Sequence, residues 1–384
     1  MRRERLAAHS SKLAALKADT MDIPILYEDA VALLKQLIAT PSLSREEDAA
    51  ATLIEHFLRG RNVPVHRYLN NVWCRNKYFD PAKPVVLLNS HHDTVKPNPQ
   101  YTKDPYQPLV EDGKLYGLGS NDAGGALTGL IATFLYFYDK QDLRYNIVLA
   151  ATAEEEISGV NGIEALLPHK EFLETLEGAS LGFAIVGEPT LTNLAVAEKG
   201  LLVLDATAHG KAGHAAREEG DNAIYKALKD IEWFKNFIFP KASPTLGPVK
   251  MSVTVIQTEN KAHNVVPAVC SFVVDVRITD AYTHEEVLDI IRRHTTSEIK
   301  PRSLRLRSSK IDMDHPVVRC GLRLGKTAYG SPTTSDQALI PVPSLKCGPG
   351  DSARSHTADE FIYLEEIRQG IETYVRLLEG CILG

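Results

Sequence analysis

The chain has 384 residues, 44% hydrophobic and 24% charged, with a formal net charge of -6. That length exceeds what one hydrophobic core usually serves, so a large and a small domain are expected. No apolar run approaches the roughly 20 residues of a membrane span, and the acidic balance gives no basic footprint for nucleic acid, so neither a membrane nor a nucleic acid is expected as partner.

Cys74, Cys270, Cys320, Cys347 and Cys381 are odd in number, scattered, and not spaced as a zinc finger or redox pair. They read as reduced thiols of a cytoplasmic protein. Residues 1–20 carry Arg2, Arg3, Arg5, Lys12 and Lys17 without a continuous apolar core, which argues against a secretory signal. This stretch reads as an extension ahead of Met21, with an amphipathic targeting segment as the open alternative.

From Pro24, the spacing of Val31, Leu34, Leu37 and Ile38 predicts a helix that Pro41 stops. Ser44 with Glu47 three residues later forms the signature of a capping box, predicting a second helix that ends near Gly60. Short apolar runs at 85–89, 146–151 and 182–186 predict buried strands, with a helical stretch at 125–138 between the first two. This alternation implies an α/β catalytic domain with a mixed sheet and helices on both faces.

After Gly200 the pattern changes to strands at 201–208, 250–257 and 269–278, with helices at 222–237 and 284–294. An α+β unit spanning 199–308 is therefore expected as an insertion in a catalytic domain made of 21–198 and 309–384. The returning segment is expected to carry helices at 316–326 and 364–378 and a strand at 344–347.

Chemistry-bearing residues collect where the apolar strands end, the position at which open α/β sheets place ligands. Asn89-Ser90-His91-His92-Asp93 follows the first strand, and alternation along a strand lets His91 and Asp93 point together. A carboxylate two residues from a ligating histidine can hold its ring, although a polar loop with a satisfied histidine is an equally open reading. The glycine-rich stretch from Gly117 to Gly125 surrounds Asp122. It lacks the ending of a P-loop and the full dinucleotide fingerprint, which leaves an N-cap aspartate as its plain alternative.

Glu154, Glu155 and Glu156 follow the next strand, and three adjacent carboxylates crowd unfavourably unless cations compensate them or water solvates the turn. Glu188 ends another strand, and His356 follows the turn Gly348-Pro349-Gly350. Each alone reads as a loop acid or a structural histidine. Together, His91, Asp122, Glu156, Glu188 and His356 form a nitrogen-and-oxygen donor set suited to zinc, cobalt or manganese.

In this order, from about Ile23 onward, the motifs resemble the metallohydrolase family of acetylornithine deacetylase, succinyl-diaminopimelate desuccinylase, carboxypeptidase G and the aminoacylases. The resemblance implies two divalent metals, with zinc expected. His91 and Glu188 would hold one, Glu156 and His356 the other, and Asp122 would bridge. It further implies that Asp93 orients His91 and that Glu155 is the general base. The inserted unit resembles the family's lid and dimerisation domain. Gly210-Lys211-Ala212-Gly213-His214 matches an element whose histidine, here His214, would stabilise the oxyanion in the partner subunit of a homodimer. Asn264 and Arg277 would bind substrate.

The second motif departs from the family's Gly-Arg-Gly-x-x-Asp-Met-Lys-Gly-Gly, with Leu118 for Arg, Ala123 for Met and Gly124 for Lys. Cys347-Gly348-Pro349-Gly350 followed by His356 and Asp359-Glu360 is closest to the acetylornithine deacetylase branch. The expected activity is hydrolysis of the amide of an N-acyl amino acid, N-acetyl- or N-succinyl-ornithine or -citrulline, in arginine biosynthesis. The alternatives are a succinyl-diaminopimelate desuccinylase or a metallo-di- or carboxypeptidase. A metal- or amino-acid-binding protein is the non-enzymatic alternative.

Overall fold

The computed structural model describes residues 23–217 and 219–383. The expected extension at 1–20 lies outside the described residues. Contacts divide the chain into one unit formed by the residues up to Thr192 together with those from Cys347 on, and a second unit, Asn193–Lys346.

In the first unit, strands His66–Tyr68, Asn71–Arg75, Asn146–Thr152, Val85–His91 and Leu181–Gly187 lie side by side in that order. Val85–His91 runs parallel to both of its neighbours, whereas Asn71–Arg75 pairs antiparallel with Asn146–Thr152, so the sheet is mixed. Val85–His91 and Asn146–Thr152 are buried along their whole length, as unbroken apolar runs require when both faces are covered. The helix Gly125–Phe137 packs on these two strands, and the helices Ile23–Ile38 and Leu364–Ile382 pack on it in turn. Elsewhere Trp73 meets Phe172 of the helix Lys170–Thr175 edge-on.

The helix expected from Ser44 to Gly60 forms over Asp48–Arg59, but the capping box does not: Glu47 is the N-cap residue and makes no side-chain cap bond. Ser44 Oγ donates to Asp93 Oδ2 at 2.7 Å instead. The Glu47 carboxylate accepts from the Arg45 and Glu154 main-chain nitrogens and from Asn70 Nδ2. Both polar groups serve the loops after the central strands, because a long-range partner that is itself buried outcompetes a local cap.

In the second unit, the strands Lys250–Thr258, Val269–Ile278, Gly200–His209 and Glu298–Pro301 form an antiparallel sheet in that order. Burial alternates along Val269–Ile278 and Gly200–His209, so Leu202, Leu204, Phe272, Val274 and Val276 share one face. That face forms a core with Ala227 and Phe234 of the helix Ala223–Asn236 and with Val287 and Ile291 of His284–His294. A genuine capping box, between Thr283 and Glu286, starts the latter helix.

The segment 199–308 lies wholly inside this unit, which continues on either side of it. The strand Leu194–Glu198 is the reason, since it pairs with Ser309–Lys310, Ala328–Ser331 and Lys346 and thereby draws the segment up to 346 to itself. All five cysteines are buried free thiols. No helix among the described residues is long and apolar enough to cross a membrane.

Candidate active site

The strand ends of the first unit bring five expected ligands together. His91 is the last residue of Val85–His91, Asp122 lies in the turn Ser120–Gly124, Glu156 in the turn after Asn146–Thr152, Glu188 directly after Leu181–Gly187, and His356 in the loop before Phe361–Tyr363. His91, Asp122 and Glu188 offer donor atoms all within 4.8 Å of one another, and so do Asp122, Glu156 and His356. Asp122 belongs to both groups, with Oδ1 3.4 Å from His91 Nε2 and Oδ2 3.6 Å from His356 Nε2. One carboxylate thus turns an oxygen towards each histidine, which is the geometry of a bridging ligand.

The turn that carries Asp122 depends on glycine. Gly119 has φ of 74°, in the left-handed region. A Cβ on Gly124 would lie 2.4 Å from the Gly119 carbonyl oxygen and 2.6 Å from Leu34. The glycine that replaces the family's lysine therefore meets a steric demand of this chain.

His91 is wholly buried, and its Nδ1 lies 3.0 Å from the Asp93 carbonyl oxygen. With Nδ1–H donating there, Nε2 faces Asp122, and this buried nitrogen has no hydrogen-bond partner. Burial opposes charge on this ring, yet the carboxylates of Glu155, Asp122 and Asp93 hold its pKa well above the ordinary histidine value. The Glu156 carboxyl is raised by burial and, less, by the charge of Asp122, which together outweigh the lowering bond to His356. An unpartnered imidazole nitrogen facing crowded carboxylates fits a divalent cation, which takes the place of the proton.

Asp93 reaches His91 chiefly through its main chain, because its carboxylate is the more distant group, 3.4 Å from Nδ1. The carboxylate accepts from Ser44 Oγ and from the main-chain nitrogens of Glu155 and Glu156, at 3.1 and 3.2 Å. Burial would raise the pKa of Asp93, but its bond to His91, the His91 charge and the Ser44 bond bring it below the usual carboxylate range. Asp93 thus positions the turn that carries Glu155 and Glu156. Glu155 Oε2 lies 3.9 Å from His91 Nε2, beside the donor group that His91 forms with Asp122 and Glu188.

His214, Asn264 and Arg277 lie in the second unit. Gly213–His214 pairs with Val265–Val266, and the Ala215 nitrogen donates to the Asn264 carbonyl oxygen, so His214 and Asn264 are neighbours on exposed turns. The Arg277 guanidinium is engaged by both carboxylate oxygens of Asp275, at 2.8 and 3.0 Å.

Sequence reasoning missed Ser44 and Glu47, read as a helix cap, and assigned no role to Asn121 or Glu360. Glu360 was visible only as the acid following Asp359.

The profile of the peptidase family M20/M25/M40 matches residues 87–380. Among curated relatives, a succinyl-diaminopimelate desuccinylase of Acidiphilium cryptum is 26% identical over 280 residues, covering 69% of this chain and 73% of its own. A succinyl-diaminopimelate desuccinylase 2 of Ruegeria sp. is 25% identical over 382 residues, covering 91% and 94%. Among solved structures, a tripeptidase from Staphylococcus aureus superposes with a TM-score of 0.74 at 18% identity, covering 94% of this chain and 99% of its own. A dinuclear metal binding peptidase of Bacillus subtilis gives 0.67 at 15% identity, covering 92% and 98%. These two likenesses bear on the fold, a two-domain α/β architecture. With the family profile spanning most of the chain and the strand-end donors in place, the protein belongs to the peptidase family M20/M25/M40 and is a hydrolase.

Proposed function

We propose that this protein hydrolyses the amide bond of an N-acyl amino acid with the help of two divalent metal ions, and that the acyl arm is succinyl. The observation that carries the reading is the pair of three-donor groups sharing Asp122, with Glu155 beside the one that contains His91. His91 and Glu188 would hold one ion, Glu156 and His356 the other, and Asp122 both. Histidine and carboxylate donors suit zinc, with cobalt or manganese as substitutes. When bound, such ions polarise the scissile carbonyl and lower the pKa of water.

The chain's own residues do the rest. Glu155 takes the proton from the attacking water and returns it to the leaving amine, a general acid–base role that its place 3.9 Å from His91 allows. Asp93 holds the main chain of Glu155 and so sets where that carboxylate stands. His214 would stabilise the oxyanion, and Asn264 and Arg277 would bind substrate.

The names of the curated relatives favour a succinyl arm over an acetyl one, and diaminopimelate over ornithine or citrulline as the amino acid. A homodimer through the second unit is supported by the edge strand Lys250–Thr258, which exposes Val255 and Ile256, and by Tyr225 and Leu228 exposed on the helix Ala223–Asn236. Five free thiols accord with a reducing cytoplasm.

The test is amine release from N-succinyl- and N-acetyl-diaminopimelate, -ornithine and -citrulline and from a set of dipeptides, with chelated and zinc-restored protein. Zinc-dependent turnover of a succinyl substrate is expected. Turnover of acetyl substrates alone would replace the acyl arm, turnover of dipeptides alone would make the protein a peptidase, and metal binding without turnover would make it a binding protein.

A further inference from the structure

Glu360 is buried to 2% exposure, and none of its atoms belongs to either donor group. Its Oε1 accepts from the main-chain nitrogens of Asn121 and Asp122 at 2.8 and 2.9 Å, and its Oε2 accepts from that of Gly119 at 3.1 Å. Its own carbonyl oxygen accepts from the Gly117 nitrogen at 3.0 Å. The main-chain N–H groups of a tight turn converge on one point, and such a nest holds its shape when an anion sits there.

The accepting carboxyl comes from the segment that also delivers His356, four residues earlier. A second tie joins the same two loops: Asn121 Oδ1 accepts from the Asp351 nitrogen, while Asn121 Nδ2 donates to the Asp351 carbonyl oxygen, both at 3.0 Å. Asp122 and His356 are therefore placed relative to each other by a main-chain brace and not by their own contact, which at 3.6 Å is long for a hydrogen bond.

We propose that Glu360 is a positioning residue that sets the spacing between Asp122 and His356, and so determines affinity for the ion held by Asp122, Glu156 and His356. This rests on the two-metal reading above. An amide at position 360 keeps the size of the side chain but replaces one acceptor by an NH2 group facing an N–H, which the nest cannot accommodate without moving the turn. Because His91 and Glu188 arrive from strands outside this brace, the ion they hold feels the change only through Asp122.

The experiment is calorimetric titration of zinc into the chelator-stripped full-length protein for wild type, Glu360→Gln, Glu360→Asp and His356→Ala. Wild type is expected to take two ions. Glu360→Gln should lose roughly 10–100-fold in affinity for one of them, the range for partners that orient ligands. It should then resemble His356→Ala in taking one ion at zinc concentrations that saturate wild type, with the other affinity changed by less than about 3-fold. Glu360→Asp should fall between.

Two wild-type affinities retained in Glu360→Gln would overturn the proposal, even if its thermal midpoint fell, since that result means a structural role alone. Failure of the wild type to take two ions would instead overturn the two-metal reading, and the inference with it. Should Glu360→Gln not fold, Asn121→Ala removes the second tie and leaves the Glu360 bonds in place. Unchanged affinity for both ions in that variant would equally overturn the coupling of the two loops.

Discussion

His356 Nε2 stands 2.9 Å from Glu156 Oε2, so two candidate ligands of one ion form a direct ion pair. The hydrogen bond to Glu156 is the largest influence on His356 and pushes its pKa up to about 9, against partial burial. A metal ligand must be a neutral imidazole, so zinc has to displace this proton at any pH below about 9. Zinc uptake by the stripped protein should therefore release a proton at pH 7, and affinity for this ion should fall as pH is lowered. Calorimetry in two buffers of different ionisation enthalpy reads the release, and identical heats would contradict the protonated His356.

The same pair has a sign for stability. A histidine whose folded pKa is raised contributes fully below its unfolded value of 6.5, and that contribution is lost as pH rises through about 9. The thermal midpoint of the stripped protein should decline across that window, and His356→Ala should flatten the decline. An equal slope in the variant would assign it to other groups.

Chelation should destabilise the protein well beyond this single pair. Asp122, Glu156 and Glu188 place carboxylate oxygens within two groups 4.8 Å across, and a cation relieves the repulsion between them. At a free zinc concentration a hundred times the dissociation constant, each site should add about 2.7 kcal/mol. Differential scanning calorimetry with and without zinc measures this directly, and coincident transitions would argue against binding to the folded state.

Ser44→Ala separates a cap from a site residue. An N-cap loss would cost about 1 kcal/mol of stability. Because Ser44 Oγ donates to Asp93 Oδ2, the change should instead lower zinc affinity or turnover by roughly 10-fold, with stability of the zinc-loaded protein almost unaltered. A drop in stability at normal turnover would restore the capping role.

Glu155→Gln should lower kcat about 10²–10⁴-fold, the usual worth of a general acid–base group. Retention of two zinc ions, checked by elemental analysis, makes the loss catalytic. Near-normal turnover by the loaded variant would remove Glu155 from the mechanism.

Within the second unit, Lys346 Nζ lies 3.1 Å from Glu198 Oε2 with both side chains buried. Burial raises the Glu198 carboxyl in spite of the lysine, so desolvation outweighs the pairing. Lys346→Met alone should cost about 3–5 kcal/mol by stranding the carboxylate, whereas Lys346→Met with Glu198→Leu should recover most of it. Denaturant unfolding of both variants decides. Equal losses in the two would point to a role of Glu198 beyond the pair.

The strands Val85–His91, Asn146–Thr152 and Leu181–Gly187 and the helix Gly125–Phe137 were legible from the chain itself, because continuous apolar runs bounded by polar turns have few other ways to be buried. The candidate ligands were legible for the same reason: His91, Glu156 and Glu188 stand where such strands must end. Short strands such as Leu194–Glu198 and Ser309–Lys310 were not, since a few residues carry no periodicity and their pairing depends on partners far along the chain. Local spacing likewise suggested a cap for Ser44 and Glu47, while distant carboxylate and main-chain groups claimed both. The residue sequence by itself determined which side chains could hold metal and do acid–base work. Only the tertiary structure decided what holds them in place. The Asp93 carboxylate accepts from the main chain of Glu155 and the Glu360 carboxylate from that of Asp122, across 62 and 238 residues of chain, and no local pattern encodes hydrogen bonds of that span.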